Sequence, residues 1–214
     1  MPRYIDLPTW PRRAAFEHFA ALNQPYFGLC TRLDVAAAQR ATRHAGASLM
    51  LACHHQALRA AHAVEPFGYR LEEGPRVRIH ERLHASTTVL RPDDSFGFCY
   101  LEYVEDCREF LRHARHAVDA TRSGQTTFDP QPDEAAVIHF TTLPWVHFTS
   151  MSHPRQLGSG DSVPKLAFGR LQAEGEHLWM PLSVDVHHGL MDGLHVGRFV
   201  QGLDHALAHP EEWL

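Results

Sequence analysis

The residues with chemistry to offer gather in one segment, Pro181-Leu182-Ser183-Val184-Asp185-Val186-His187-His188-Gly189-Leu190-Met191-Asp192-Gly193. Apolar and polar residues alternate into a histidine pair, the pattern of a strand, and an aspartate follows four residues after the second histidine. Gly193 then opens an amphipathic helical pattern. A histidine presented at a strand end, with a carboxylate and a glycine turn behind it, can serve as a general base. Such a base takes a proton from a hydroxyl or thiol and hands it to a leaving group. Metal binding competes with that reading. His187, His188, Asp192 and His195 fall within nine residues and are ligand types that zinc accepts, and Cys53-His54-His55 forms a second cluster. Consecutive strand residues point to opposite faces, however, so His187 and His188 cannot readily share one ion, and no metal is expected.

The elements that must position this segment follow from hydrophobic periodicity. Arg12 to Leu22 carries a helical stripe at Ala15, Phe16, Phe19 and Leu22, started by Pro11. Tyr26 to Leu33 reads as a strand, with Asp34 as N-cap of a helix over Val35 to His44. Gly46 breaks that helix, and Ser48 to Ala61 forms a more buried one. Tyr69 to Leu90 reads as consecutive short strands and Phe96 to Tyr103 as another, followed by a helix from Asp106 to Thr121. Ser123 to Asp133 is a loop. Val137 to Thr142 and Trp145 to Ser150 are strands, and Ala167 to Gln172 pairs with His177 to Val186 around Glu174-Gly175. Val196 to Ala208 closes the chain as a helix. These elements imply an α/β fold: a single-domain, two-layer sandwich over residues 1–214, with a mixed, mostly antiparallel sheet covered by helices.

Composition narrows the function classes. A chain of 214 residues with a formal charge of −5 lacks the basic excess of a nucleic-acid binder. No apolar run approaches the length of a membrane span, and the N-terminus lacks a signal-peptide pattern, so a cytoplasmic location is expected. Cys30, Cys53, Cys99 and Cys107 show no CxxC spacing and read as small buried hydrophobes. The 18 histidines read, for all but one or two, as surface residues that make net charge sensitive to pH between 7 and 5. No G-x-G-x-x-G, Walker A or G-x-S-x-G motif is present, which weighs against a dinucleotide fold, a P-loop and a serine hydrolase. Leu157-Gly158-Ser159-Gly160-Asp161 joins no strand to a helix and reads as a flexible loop.

His187 through Arg198 resembles the motif of type A chloramphenicol acetyltransferases. A bare HxxxDG is shared with dihydrolipoyl acyltransferases and with condensation domains of peptide synthetases. Three further matches favour the chloramphenicol family: Trp10-Pro11-Arg12, resembling its WxR start; Leu143 to Ser150, resembling its PW-containing strand; and Pro181 to Val184, leading into the histidines. A dihydrolipoyl core is expected to carry a lipoyl domain and linker, and a condensation domain to be a far longer chain.

The resemblance implies roles by position. His188 matches a general base that activates an acceptor hydroxyl for direct attack on acetyl-CoA, without an acyl-enzyme. That leaves His187, on the opposite face, as the one that reads as a satisfied core histidine. Asp192 matches a structural carboxylate paired with Arg12; breaking such a pair from one side costs roughly 3–5 kcal/mol when it is buried. Thr141 stands where the family has the serine that donates to the oxyanion, and Ala167 stands where it has a threonine. Phe19, Phe27, Phe96 and Phe128 match the aromatic lining of the acceptor pocket, and Phe98 stands at a position occupied by a small residue. Met151, His153, Arg155 and Lys165 replace apolar residues there. Arg170 stands for a lysine near the CoA phosphates. The family is trimeric, with active sites at subunit interfaces. Two alternatives stay open: a same-fold acyltransferase with another hydroxyl or amine acceptor, and a silent relative that only binds a ligand, against which the presence of both His188 and Asp192 argues.

Overall fold

The computed structural model describes residues 2–74, 76–124, 136–156 and 160–214. In chain order these form β1 (Arg3–Tyr4), α1 (Arg13–Ala20), β2 (Tyr26–Asp34), α2 (Ala36–His44), α3 (Leu49–His62), β3 (Tyr69–Glu72), β4 (Arg76–Ile79), β5 (His84–Leu90), β6 (Phe96–Leu101), α4 (Cys107–Arg122), β7 (Val137–Leu143), β8 (Lys165–Gly169), β9 (Gln172–Glu174), β10 (His177–His187) and α5 (Gly193–Ala208). The helices start where short polar side chains can accept from orphaned amides. Ser48 accepts from Leu51 N–H at 3.4 Å, Asp106 from Glu109 N–H at 2.8 Å, and Asp192 from Leu194 N–H at 3.1 Å.

The main sheet runs β2-β10-β8-β7-β5-β6, with β9 paired to the start of β10. β7 lies parallel to both β8 and β5, and the other pairings are antiparallel. The sheet is therefore mixed, as expected for this two-layer α/β fold. One face packs on the helices: Leu182, Val184, Leu166, Phe168, Ile138 and Phe140 meet Cys53 and Leu58 of α3 and Phe199 and Leu203 of α5 in one cluster. The other face carries residues that interstrand register places in rows. One row is Gly28, Asp185, Lys165, His139, Ser86 and Tyr100; the next is Cys30, Ser183, Ala167 and Thr141.

A second sheet, β1-β4-β3, belongs to a smaller cluster in which Phe16, Tyr69, Val77, Ile79 and Leu190 pack with Trp10 and Leu7. This cluster joins α1 to the loop after β10, and so sets the histidine pair against the N-terminal segment.

Four expectations need correction. Trp145 to Ser150 is not a strand: Pro144 starts a turn closed by Val146 N–H to Leu143 O, and the segment runs on irregularly. The arm paired with the start of β10 is Gln172–Glu174, because β8 ends at Gly169. Asp34 ends β2 instead of occupying the N-cap position, although its carboxylate still accepts from Ala36 N–H at 3.0 Å. The histidines are less superficial than their number suggests, since His54, His55, His80 and His187 are all buried. Helix α3 lies across the sheet with little solvent on any side, so its histidines are enclosed.

Candidate active site

His188 follows the last residue of β10, and its backbone N–H donates to Pro25 O. Its ring is stacked on Phe19 of α1 at 3.8 Å and 14°, and tilted against Phe27 of β2 at 4.6 Å. Its Nδ1 lies 3.3 Å from Met191 O. A carbonyl only accepts, so this contact places the hydrogen on Nδ1 and leaves the Nε2 lone pair for a substrate proton. Stacking covers the face of a ring and leaves its edge nitrogens open. The half-buried imidazole is thus fixed in position and in tautomer.

His187 points the other way, edge-on to Tyr26 at 5.5 Å. Its Nδ1 accepts from Gly189 N–H at 3.2 Å, and burial, aided by the charge of Arg155, pushes its pKa down to about 4. Glycine at 189 gives the ring room: a Cβ there would sit 3.0 Å from His187 Cε1, and the imidazole would have to shift by a few tenths of an ångström. The two histidines therefore serve different faces. Among the described residues, no group of three His, Cys, Asp or Glu side chains is placed to hold a metal ion.

Asp192 sits at the N-cap of α5, with Oδ2 on Arg12 Nη1 and Oδ1 2.9 Å from His195 Nδ1. Burial acts to raise its pKa, but the hydrogen bond and charge of Arg12 outweigh that and hold it below the usual carboxylate range. The pair is less buried than the resemblance implies, with side-chain exposures of 21% for Arg12 and 34% for Asp192.

The other expected residues lie elsewhere in the chain. Thr141 is on β7, in register with Ala167 of β8, which is in register with Ser183 of β10. Two strand spacings across and four residues along put Thr141 roughly 17 Å from His187. Among the described residues the Thr141 hydroxyl has no hydrogen-bond partner. Phe96 and Phe98 lie further off on β6, four strands from β10, on the face away from the helices; their rings are 6.1 Å apart. Phe128 lies outside the described residues. Within one chain the expected residues thus fall into two separate groups: His188 with Phe19, Phe27, Arg12 and Asp192 around the end of β10, and Thr141, Phe96 and Phe98 on β7 and β6.

Between these two groups the second face of the sheet is charged. Arg155, its side chain 6% exposed, donates to Asp185 (Nε–Oδ1 2.8 Å) and Asp161 (3.2 Å) and lies over the Tyr26 ring at 4.6 Å. Lys165 pairs with Asp161 at 3.3 Å. His153 Nε2 and Ser183 Oγ are buried without a hydrogen-bond partner among the described residues.

A cavity of about 720 Å³, which the sequence did not reveal, opens where β5 and β7 part. Their pairing stops at Thr87 and Phe140 although both strands continue. Thr87, Thr88 and Leu90 form one wall, Thr142, Pro144 and Trp145 another, and Met50, Leu51 and His54 of α3 a third. Arg170 lies outside this cavity but adjoins its wall, donating its N–H to Val146 O and accepting from His147 Nδ1. The recognisable Pro144-Trp145 pair was the one sequence signal for this region; the gap itself depends on two strands distant in sequence.

The model of the family described as "Chloramphenicol acetyltransferase" matches residues 3–204. The chain is 29% identical over 215 residues to a chloramphenicol acetyltransferase of Streptomyces acrimycini, covering all of this chain and 97% of that protein. It is 28% identical over 205 residues to chloramphenicol acetyltransferase 2 of Escherichia coli, covering 93% of each. A solved chloramphenicol acetyltransferase superposes with a TM-score of 0.85 at 25% identity, over 97% of this chain and all of the other. The dihydrolipoamide acetyltransferase of Azotobacter vinelandii shares the fold, with a TM-score of 0.66 at 16% identity over 93% of this chain and 87% of the other. With a histidine held between two aromatic rings at the end of β10 and a family match running through nearly the whole chain, the protein is an acyltransferase and belongs to the chloramphenicol acetyltransferase family.

Proposed function

We propose that this protein transfers the acetyl group of acetyl-CoA to a hydroxyl of chloramphenicol, the activity for which its relatives are named, and so inactivates the antibiotic. The observation that carries the reading is His188, held by two aromatic rings and by Met191 O with Nε2 left to act. The acceptor hydroxyl gives its proton to Nε2 as its oxygen attacks the thioester carbonyl. The tetrahedral oxyanion takes a hydrogen bond from the Thr141 hydroxyl, and collapse expels the CoA thiolate, which recovers the proton from the imidazolium. Asp192 and Arg12 brace the loop and take no part in proton transfer.

His188 and Thr141 are too far apart in one chain to meet one substrate. That separation supports a homotrimer in which the base of one subunit faces the Thr141, Phe96 and Phe98 half-site of the next. The cavity between β5 and β7 supports entry of acetyl-CoA from the helix side toward Thr141. Among the described residues, no helix is long and apolar enough to cross a membrane, and a cytoplasmic location, where acetyl-CoA is available, fits the reading.

The test is CoA release from acetyl-CoA and chloramphenicol, wild type beside His188→Ala. General-base loss lowers kcat by about 10²–10⁴-fold; a folded wild type no faster than the variant refutes the reading. One observation favours another acceptor: Arg155 and Lys165, at positions where the resemblance implies apolar residues, form a charged network with Asp185 and Asp161. A panel of polar alcohols and amines in the same assay decides between them, by which acceptor has the higher kcat/KM.

A further inference from the structure

Arg12 also lines a cavity of about 370 Å³ that shares no residue with the gap between β5 and β7. That volume suits a small organic ligand. Three stretches of chain wall it: the N-terminal segment at Trp10 and Pro11, the turn after α3 at Val64 and Pro66, and the first turns of α5 at His195 and Arg198. Trp10 stands edge-on to Tyr69 at 6.1 Å and tilted against Phe16 at 5.7 Å, so one side of the cavity is a fixed aromatic surface. The charges around it do not cancel. Glu65, the carboxylate in the lining, is already taken by Arg3 and by the Tyr69 hydroxyl, which donates to it at 2.6 Å. Arg12 is matched by Asp192 through Nη1, and its Nε is buried without a hydrogen-bond partner among the described residues. Arg198 is exposed and has no ion pair or hydrogen bond among the described residues, and the Trp10 indole N–H has no acceptor among them.

One uncompensated cation beside an apolar, aromatic wall fits a monoanion with a flat apolar body. An inorganic anion would use the charge and leave the wall bare, and a neutral ring would leave the guanidinium unmatched. We infer that this cavity is a binding site for a single-ring aromatic carboxylate, whose carboxylate takes the guanidinium fork of Arg198 and whose ring lies against Trp10 and Pro66. The site is separate from the acyl-transfer centre and does not depend on which acceptor is acetylated. It is nevertheless linked to that centre, because its walls include the two segments that the Arg12–Asp192 pair ties together. Ligand and brace therefore bias one another: taking the charge off Asp192 releases the charge of Arg12 to the ligand and tightens its binding.

Benzoate is the probe, with benzamide as its uncharged counterpart, and both are titrated by calorimetry and by tryptophan fluorescence. Wild type binds benzoate saturably and benzamide more weakly. Arg198→Gln weakens benzoate about tenfold, because the charge-assisted contact is lost, and leaves benzamide unchanged. Trp10→Phe keeps an aromatic wall, so the heat of binding persists while the fluorescence change disappears. Asp192→Asn binds benzoate more tightly than wild type does. Melting temperatures of the unliganded variants confirm that each is folded. No saturable benzoate binding by wild type, equal affinity in wild type and Arg198→Gln, or a fluorescence change that survives Trp10→Phe overturns the assignment. Inorganic phosphate that binds as well as benzoate shows an adventitious ion only, and overturns it too.

Discussion

At the scale of the residue, the pair His187-His188 divides its labour by direction. Strand alternation sends His187 toward Tyr26 and Arg155, where burial keeps it neutral, and His188 between Phe19 and Phe27, where a carbonyl sets its tautomer. Asp192→Asn keeps the size of the side chain but loses the charge facing Arg12. Because both partners are partly exposed, the expected loss is about 1 kcal/mol, well short of the cost of splitting a fully buried pair. A lowered Tm with an unchanged pH profile of kcat supports a bracing role; normal stability with wild-type activity contradicts it. Thr141→Ala removes the proposed oxyanion donor and lowers kcat about 100-fold at unchanged KM, while Thr141→Ser keeps the activity. Steady-state rates at saturating acetyl-CoA check both variants.

At the scale of the element, α1 and α3 do work that their sequences only partly announced. The amphipathic stripe of α1 was legible, but that Phe16 would join Leu190 and Tyr69 and so seat Phe19 on His188 depends on a cluster drawn from three separate segments. In α3, His54 sits against Phe140 and Phe168, donates to Met50 O at 2.7 Å and lies 3.3 Å from the Thr87 hydroxyl. Burial pushes its pKa from an ordinary 6.5 down to about 4. Between those values the unfolded chain binds the extra proton, so the contribution is fully present above pH 6.5 and is lost as pH falls toward 4, by about 3 kcal/mol. His187 acts in the same direction. Urea midpoints should therefore fall between pH 7 and 4.5, with part of the slope removed in His54→Gln; a flat midpoint over that range would show that these rings are not desolvated.

At the scale of the whole molecule, the main sheet separates what the chemistry must bring together. His188 follows β10, one strand in from the β2 edge, while Thr141 sits on interior β7 and Phe98 on β6 at the opposite edge. If sites form between subunits, His188→Ala and Thr141→Ala chains are each impaired alone but complement when co-expressed, because a mixed trimer contains an interface pairing an intact base with an intact donor. Activity of the co-expressed pair above the sum of the two alone, with the assembly mass checked by light scattering, is the expected result. Strict additivity, or a monomeric active enzyme, removes the interface model.

The local sequence was enough to mark the base, its brace and most of the elements, because strand alternation, helix caps and the histidine-aspartate spacing are short-range properties. It misread Trp145 to Ser150 and the fate of the α3 histidines, since a proline turn overrode strand propensity in one and burial by distant segments decided the other. Only the tertiary structure could reveal the distance between His188 and Thr141 and the gap where β5 and β7 part. Each is a relation between segments far apart along the chain, set by sheet order and packing.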